Sequence, residues 1–493
     1  MNAGSGRKLY ADSLSLLTDL YQLTMAYGYW KSDMAHREAI FCHSFRSLPF
    51  KGGYAVACGM GSLAEYLQSF SFDPSDLAYL ETLEGSDGAR LFDSGFLDFL
   101  ASSHLQCQVD AVPEGTVVFP HEPIIRVQGP IWQAQILETA ILNIVNFQTL
   151  IASKAARICD AANGDPVLEF GLRRAHGIDG GLAASRAAYV GGCAGTSNVL
   201  AGKLFGIPVR GTHAHSWVMS FDSELSAFEA YADALPNNCV FLVDTYNTIE
   251  GVHNAVRVGH TLRERGAQML GIRLDSGDLA YLSIEARRIL DTAGFADTII
   301  FASNDLDEQI IESLKKQGAT IAAWGVGTKL VTGHPDGALG GVYKVTAIEH
   351  DGIWHHRIKL SEQVAKISTP GKLQVRRYRV NDGYVADCVV DLLNPPEDAQ
   401  CTMVDPIDHT RRRQFSTADP YDELLRPLFV KDDVAESVGN IEKARTRVRE
   451  DLDALHPSIK RITYPHEYPV GLERELHNCK TRLILDARGA GDE

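Results

Sequence analysis

The sequence predicts an α/β protein: an irregular α/β barrel in the middle of the chain, together with an α+β domain built from the parts that flank it. Three observations predict it. From residue 165 six short apolar runs recur, PVLEF, IPVRG, CVFLVD, MLGIRLD, TIIFAS and TIAAWGV, and runs this apolar read as parallel strands buried on both faces. Helix-like stretches separate most of them, for example TIEGVHNAVRVGHTLRERG, DLAYLSIEARRILDTAG and LDEQIIESLKKQG, the alternation that produces a parallel sheet. Polar and glycine residues gather after the strands, in GLRRAHG, THAHS, TYNT, SGD, NDLDE and GTK. So many loops converging at one end favour a barrel mouth over the single switch point of a doubly wound sheet.

The flanking elements follow in order. SLLTDLYQLTMAYGYWKS carries apolar residues at helical spacing, with Thr18 or Asp19 at its start. EGTVVFPHEPIIRVQGP reads as two short strands, and WQAQILETAILNIVNFQTLIASKAARICDAA as one long helix or two. After residue 340 strands return, with hairpin turns expected at Asp351-Gly352 and Asn381-Asp382-Gly383. His355-His356 reads as a surface pair in the first hairpin. The expected domains are therefore residues 1–160, completed by about 340–400, a barrel over 161–340, and an extension over 400–493 with a helix near 436–454 and a disordered tail, ARGAGDE.

Composition narrows the function. Of 493 residues 45% are hydrophobic and 22% charged, ordinary for a globular protein, and the net charge of −16 argues against nonspecific nucleic-acid binding. A locally basic site for a small anion stays compatible with that balance. Nine cysteines are scattered singly with no CxxC, which fits reduced thiols in the cytoplasm. MNAGSGRKLYADS lacks the apolar core of a signal peptide, and no apolar run approaches a membrane span. A cytoplasmic soluble enzyme or binding protein, with neither nucleic acid nor membrane as partner, is expected.

The loops after the strands hold the candidate chemistry. In GIRLDSGDLA, Arg273 and Asp275 lie two apart and project to one side, before Ser276, Gly277 and Asp278. An arginine there can grip a carboxylate or phosphate, and an aspartate can hold ribose hydroxyls or hydrated Mg²⁺. The same pair also fits an internal salt bridge, and Asp278 fits a helix cap. In WGVGTKLVTG, Gly325, Gly327 and Thr328 would let backbone N–H groups approach a phosphate, although neither a Walker A nor a G-x-G-x-x-G spacing is present. In LEFGLRRAHG, Phe170 beside Arg173 and Arg174 suits a flat anionic ring, or equally a core phenylalanine beside surface arginines. SNDLDE, with Asn304, also reads as a cap and acidic first turn. GTHAHSW places His213 and His215 two apart after a strand, the pattern of a metal pair. The later strand ends offer Asp244, Asp275 and Asn304 but no histidine, so a metal-dependent barrel hydrolase lacks ligands.

Taken together, LTDLYQLTMAYGYW, EFGLRRAHGIDGGLAASRAAYVGG, TSNVLAG, GTHAHSW, GIRLDSGD, SNDLDE, GVGTKLVT and LGGVYK resemble the nicotinate phosphoribosyltransferase family, in its order, across roughly residues 14–375. The resemblance implies the type II phosphoribosyltransferase fold, and the Asp-Asp motif of the type I enzymes is absent. It implies transfer of phosphoribosyl from phosphoribosyl pyrophosphate to nicotinate, giving nicotinate mononucleotide and pyrophosphate, coupled to ATP hydrolysis. Mg²⁺ is then held mainly by the substrate phosphates, and the enzyme is a homodimer with shared active sites. By position, Tyr21, donated by the partner subunit, and Phe170 sandwich the pyridine ring. Thr212 and Arg273 meet its carboxylate, and Arg173 lies near the phosphoribosyl end. Asp275, Ser276, Gly277, Asn304, Gly325, Gly327 and Thr328 match ribose and phosphate positions. His215 matches the histidine that ATP phosphorylates, and His213 falls on a variable position with no assigned role. Ser197 separates this reading from the related nicotinamide enzyme, which has an aspartate there to accept an amide N–H. A carboxylate would repel nicotinate.

Overall fold

The computed structural model describes residues 13–363, 366–396, 400–416, 418–435 and 438–489. Its contacts divide the chain into two units, Met1–Ser153 with Ala338–Glu493, and Lys154–Gly337.

In the first unit the apolar strand Glu38–Phe45 pairs antiparallel with Gly341–His350 on one side and Ile125–Pro130 on the other. Sequence-distant parts of the chain therefore share one sheet, as the patterning predicts. Phe41 and Tyr343 stack across it at 5.1 Å. Asp351 and Gly352 (φ 52° and 77°) supply the left-handed pair that a two-residue hairpin loop needs, and Asn381 and Asp382 (φ 47° and 64°) do the same in the second hairpin. That second hairpin, Leu373–Val380 with Gly383–Asp391, does not extend the first sheet. It lies in a separate six-stranded sheet with Val470–Glu473, Gln400–Val404, Arg412–Ser416 and Tyr421–Glu423. Residues past 400, which the sequence set apart as an extension, thus fill the second sheet and add Arg426–Val430 to the first. The helix read near 436–454 is Ile441–Ala454. His356 is no surface residue: strand alternation leaves His355 exposed and turns His356 inward, 2.7 Å from Asp391. The last four residues of the predicted tail lie outside the described residues. Among the described residues no helix is long and apolar enough to cross a membrane.

The second unit carries β1 (Val167–Glu169), β2 (Gly195–Thr196), β3 (Cys239–Leu242), β4 (Met269–Leu274), β5 (Ile299–Ala302) and β6 (Ala323–Val326). They form one parallel sheet in the order β2-β1-β6-β5-β4-β3. Its helices are α1 (Gly177–Val190), α2 (Val199–Phe205), α3 (His215–Met219), α4 (Glu224–Ala234), α5 (Thr248–Glu264), α6 (Leu279–Thr292), α7 (Glu308–Lys316) and α8 (Thr328–Val331). Five of them open on a side chain that accepts an amide one turn in: Asn198 for α2, Ser223 for α4, Asn247 for α5, Asp278 for α6 and Asp307 for α7. Each such cap contributes about 1 kcal/mol. Part of the polarity after the strands is therefore structural. Gly251 brings α5 close to the sheet, since a Cβ there would stand 2.0 Å from the Val243 carbonyl.

One predicted strand is absent. IPVRG makes a single parallel bridge, Val209 to Thr196, and Val209 is 40% exposed. Pro208 has no N–H to give a ladder, only its carbonyl, which accepts from Thr196 N. The strand beside it, Gly195–Thr196, is too short to show in the apolar pattern. At the start of α7, Glu308 takes both Lys154 (2.6 Å) and Arg157 (3.1 Å), all three side chains buried.

Candidate active site

The loops after β3, β4 and β5 converge on two aspartates. Asp244, just past β3, accepts from Asp275 N (2.8 Å) and Ser276 Oγ (2.7 Å), which ties its loop to the one after β4. Its other oxygen, Oδ1, is buried and has no partner among the described residues. Asp275 accepts from Ser303 Oγ through Oδ1 at 2.5 Å, and its Oδ2 lies 3.6 Å from His215 Nε2. His215 opens α3 and sets Nδ1 3.1 Å from Thr245 Oγ1. The nearby carboxylate favours the ring proton on Nε2 and leaves the Nδ1 lone pair toward the hydroxyl. Both His215 and Asp275 are about one-third exposed, so the pair is open to a ligand.

Arg273 sits on the same rim. Its Nη2 donates to the His213 carbonyl at 3.3 Å, while its Nε is buried without an acceptor among the described residues. Burial draws its pKa below the usual guanidinium range, Asp275 and Asp244 oppose that shift, and the nearby Arg173 adds to it. A guanidinium with a spare buried donor and a second cation near enough to shift it forms a place for an anion.

A second group forms a flat floor. Gly325, next to last in β6, lies beneath Phe170, whose ring carbons would lie 2.7 and 2.8 Å from a Cβ at that position. Phe170 N donates to Val326 O at 2.8 Å, which locks the loop after β1 to β6. Gly327 stands ahead of α8, with Thr328 as its first residue. Ser303 joins the two groups, since its Cβ lies 3.4 Å from the Gly325 position and its hydroxyl holds Asp275.

The structure thus brings together His215, Arg273, Asp275 and Ser276, with Arg173 nearby, and separately Phe170 with Gly325 and Gly327. Ser197 follows β2, and its N–H donates to Glu169 O. Thr212 is half-buried with its hydroxyl on the His213 carbonyl. Gly277 (φ 80°) and Asn304 (φ 98°) are exposed on left-handed backbone in their loops. Tyr21 belongs to the other unit, 48% exposed on the helix Leu20–Lys31. Thr245 and Ser303 carry no role in the sequence reading, and Asp244 enters it only as a strand-end carboxylate weighed for a metal. Their signal was the position directly after an apolar run, in CVFLVDT and TIIFAS.

The His-x-His pair is not a metal pair. His213 is buried, its Nε2 receives the Leu242 N–H at 3.2 Å, and its ring packs among Phe228, Tyr231 and Phe241. His215 faces the loops instead. Among the described residues no group of three or more His, Cys, Asp or Glu is arranged to hold a metal.

An irregular parallel barrel with its polar loops on one rim, together with a unit built from sequence on both sides of it, is the architecture of the type II phosphoribosyltransferases. Family models described as the N-terminal domain, the family proper and the C-terminal domain of nicotinate phosphoribosyltransferase match residues 16–146, 167–383 and 372–480. The chain is 43% identical over 489 residues to the nicotinate phosphoribosyltransferase of Bacillus subtilis, covering 98% of this chain and 97% of that one. It is 37% identical to nicotinate phosphoribosyltransferase 2 of Arabidopsis thaliana, over 97% and 95% of the two chains. The crystal structure of human nicotinic acid phosphoribosyltransferase superposes with a TM-score of 0.83 at 30% identity, covering 94% of this chain and 99% of that chain. The chain belongs to the nicotinate phosphoribosyltransferase family.

Proposed function

We propose that this enzyme transfers phosphoribosyl from phosphoribosyl pyrophosphate to the ring nitrogen of nicotinate, and that ATP drives the transfer through phosphorylation of His215. The observation that carries the reading is the His215–Asp275–Thr245 arrangement beside Arg273, on the rim that also holds Phe170 over Gly325. In the transfer, the pyridine nitrogen bonds to C1′ of the ribose as the bond from C1′ to the pyrophosphate oxygen breaks. The protein's part is to place the ring and to stabilise a cationic ribosyl centre and the leaving diphosphate. Phe170 stacks the ring, Arg273 and Thr212 take its carboxylate, and Ser197 leaves that carboxylate unopposed. Tyr21 of the partner subunit covers the other ring face in a homodimer. Arg173, Ser276, Gly277, Asn304, Gly325, Gly327 and Thr328 receive the phosphoribosyl and phosphate oxygens.

His215 accepts the γ-phosphoryl of ATP on nitrogen and releases ADP. Water then cleaves the P–N bond, which makes the cycle irreversible. Asp244, with its orphaned Oδ1, and Asp275 are suited to Mg²⁺, most of whose ligands would be phosphate oxygens. Mg²⁺ would neutralise the charge of the leaving diphosphate. The nine cysteines, none of them in a disulfide, support a reducing, cytoplasmic location.

Two measurements test the proposal. Purified enzyme with nicotinate, phosphoribosyl pyrophosphate and Mg²⁺ is expected to make nicotinate mononucleotide, faster with ATP, and nicotinamide is expected to compete poorly. Incubation with γ-labelled ATP is expected to leave an acid-labile phosphate on His215 that His215→Ala lacks. Label elsewhere, or none, overturns the phosphohistidine.

A further inference from the structure

The sheet of the barrel unit has two open edges, β2 and β3. The segment between them in sequence bonds to both. At the β2 edge, Thr196 N donates to Pro208 O (3.0 Å) and Arg210 N to Thr196 O (2.9 Å). At the β3 edge, Leu242 N donates to His213 Nε2 at 3.2 Å. A side chain, not a backbone ladder, makes this second closure. Because Nε2 accepts, the ring proton sits on Nδ1, which faces the Ala214 carbonyl at 3.4 Å. The ring is wedged among Phe228, Tyr231 and Phe241 and cannot swing away. The backbone of the same residue carries a second contact: its carbonyl takes Arg273 Nη2 at 3.3 Å.

We infer that His213, to which the sequence assigned no role, is a positioning residue: its imidazole closes the barrel at Leu242 and so fixes the carbonyl that aims Arg273, and the neighbours Thr212 and His215, at the substrate. The inference rests on the roles proposed above for Arg273 and His215. It follows from connectivity, since Thr212 and His215 lie one and two residues from the wedged ring. Burial holds the imidazole neutral with a pKa of about 4, so the acceptor persists at neutral pH.

Three substitutions separate positioning from bulk packing. His213→Gln can carry an acceptor to the Nε2 position, His213→Asn is one methylene too short, and His213→Leu fills the wedge with no acceptor. In Leu and Asn variants the KM for nicotinate is expected to rise about tenfold, as loss of one aimed charge-assisted contact implies. The phosphate is still expected on His215, about tenfold more slowly. His213→Gln is expected to return both within about threefold of the parent. Amide exchange read by mass spectrometry on the peptide spanning 239–243 should speed up in Leu and Asn but not in Gln. Folded Leu and Asn variants with parental KM overturn the inference, as does a Gln variant no better than Asn. Should the variants fail to fold, the unmodified enzyme decides: an open, fast-exchanging Leu242 amide overturns the closure and a protected one supports it. If the unmodified enzyme makes no nicotinate mononucleotide, the functional reading fails, while the exchange measurement still decides on His213.

Discussion

Thr245 and Asp275 hold opposite sides of one imidazole, and that symmetry gives each a separate prediction. Thr245→Val removes the hydroxyl at Nδ1 and keeps the shape. His215 phosphorylation is expected to slow about tenfold, with the KM for nicotinate unchanged, as single-turnover labelling would read. Asp275→Asn is expected to cost about a hundredfold or more in kcat, because it removes the charge beside Nε2 and, with Oδ1 kept on Ser303, turns an amide N–H toward the imidazole. A pH dependence also belongs to this scale. Burial holds His213 and His43 at pKa values of about 4, with Arg273 and His215 adding to the shift at His213 and the Asn146 contact opposing it at His43. The unfolded chain binds those protons first, so stability is complete above the unfolded pKa of about 6.5 and falls as pH drops toward 4. Each histidine contributes up to about 3 kcal/mol to that loss. Urea melts at pH 7.5 and 4.5 check it, and His213→Gln should lose less stability between the two.

Among elements, the loop after β1 and the end of β6 work as one piece, because Phe170 lies on Gly325. Gly325→Ala would drive a methyl into the ring at 2.7 Å, so the KM for nicotinate should rise at least tenfold while the melting temperature moves little. Isotherms for nicotinate binding would show it. These elements also mark how far patterning reaches. Five of the six predicted apolar runs are strands, since burial on both faces leaves an unbroken apolar signature. IPVRG failed because a proline and an exposed valine sit where a ladder would run, and Gly195–Thr196 escaped because two small residues carry no period. Asp278 is the cap that one of its two readings gave, and in SNDLDE the capping residue is Asp307. Arg273 and Asp275 make no direct hydrogen bond to each other: Arg273 reaches the His213 carbonyl and Asp275 takes Ser303. That contact pattern sets aside the closed salt bridge that spacing alone left open.

For the whole molecule, the decisive fact is that the first unit is assembled from both flanks of the barrel. Val470–Glu473 lies between Gln400–Val404 and Gly383–Asp391, and Arg426–Val430 pairs with Gln108–Ala111. Truncation after residue 399 removes strands from both sheets, along with Asp451 and Tyr468, which meet the buried Arg377–Asp387 pair. The shortened chain is expected to be insoluble or to lose the cooperative unfolding of this unit, read by far-UV circular dichroism. Within that network Asp387→Ala leaves the fully buried Arg377 guanidinium with only the more distant Asp451 carboxylate, 3.7 Å away, and should cost about 3 kcal/mol.

The sequence by itself determined the class of fold, the family resemblance and the residue types of the site, because apolar period and loop chemistry are local and survive in one dimension. Only the tertiary structure decided which polar residues meet. Asp244 and Thr245 after β3 and Ser303 after β5 join His215 and Asp275, and no spacing in the chain encodes a distance across a sheet. It also separated two histidines that looked equivalent: one ring is wedged under Leu242, the other is open beside Asp275. The reason is physical. Two positions that would share a side in a strand diverge here because residues 211–214 form no strand and His215 already opens a helix, and whether a side chain becomes structure or site depends on what the neighbouring strands place there.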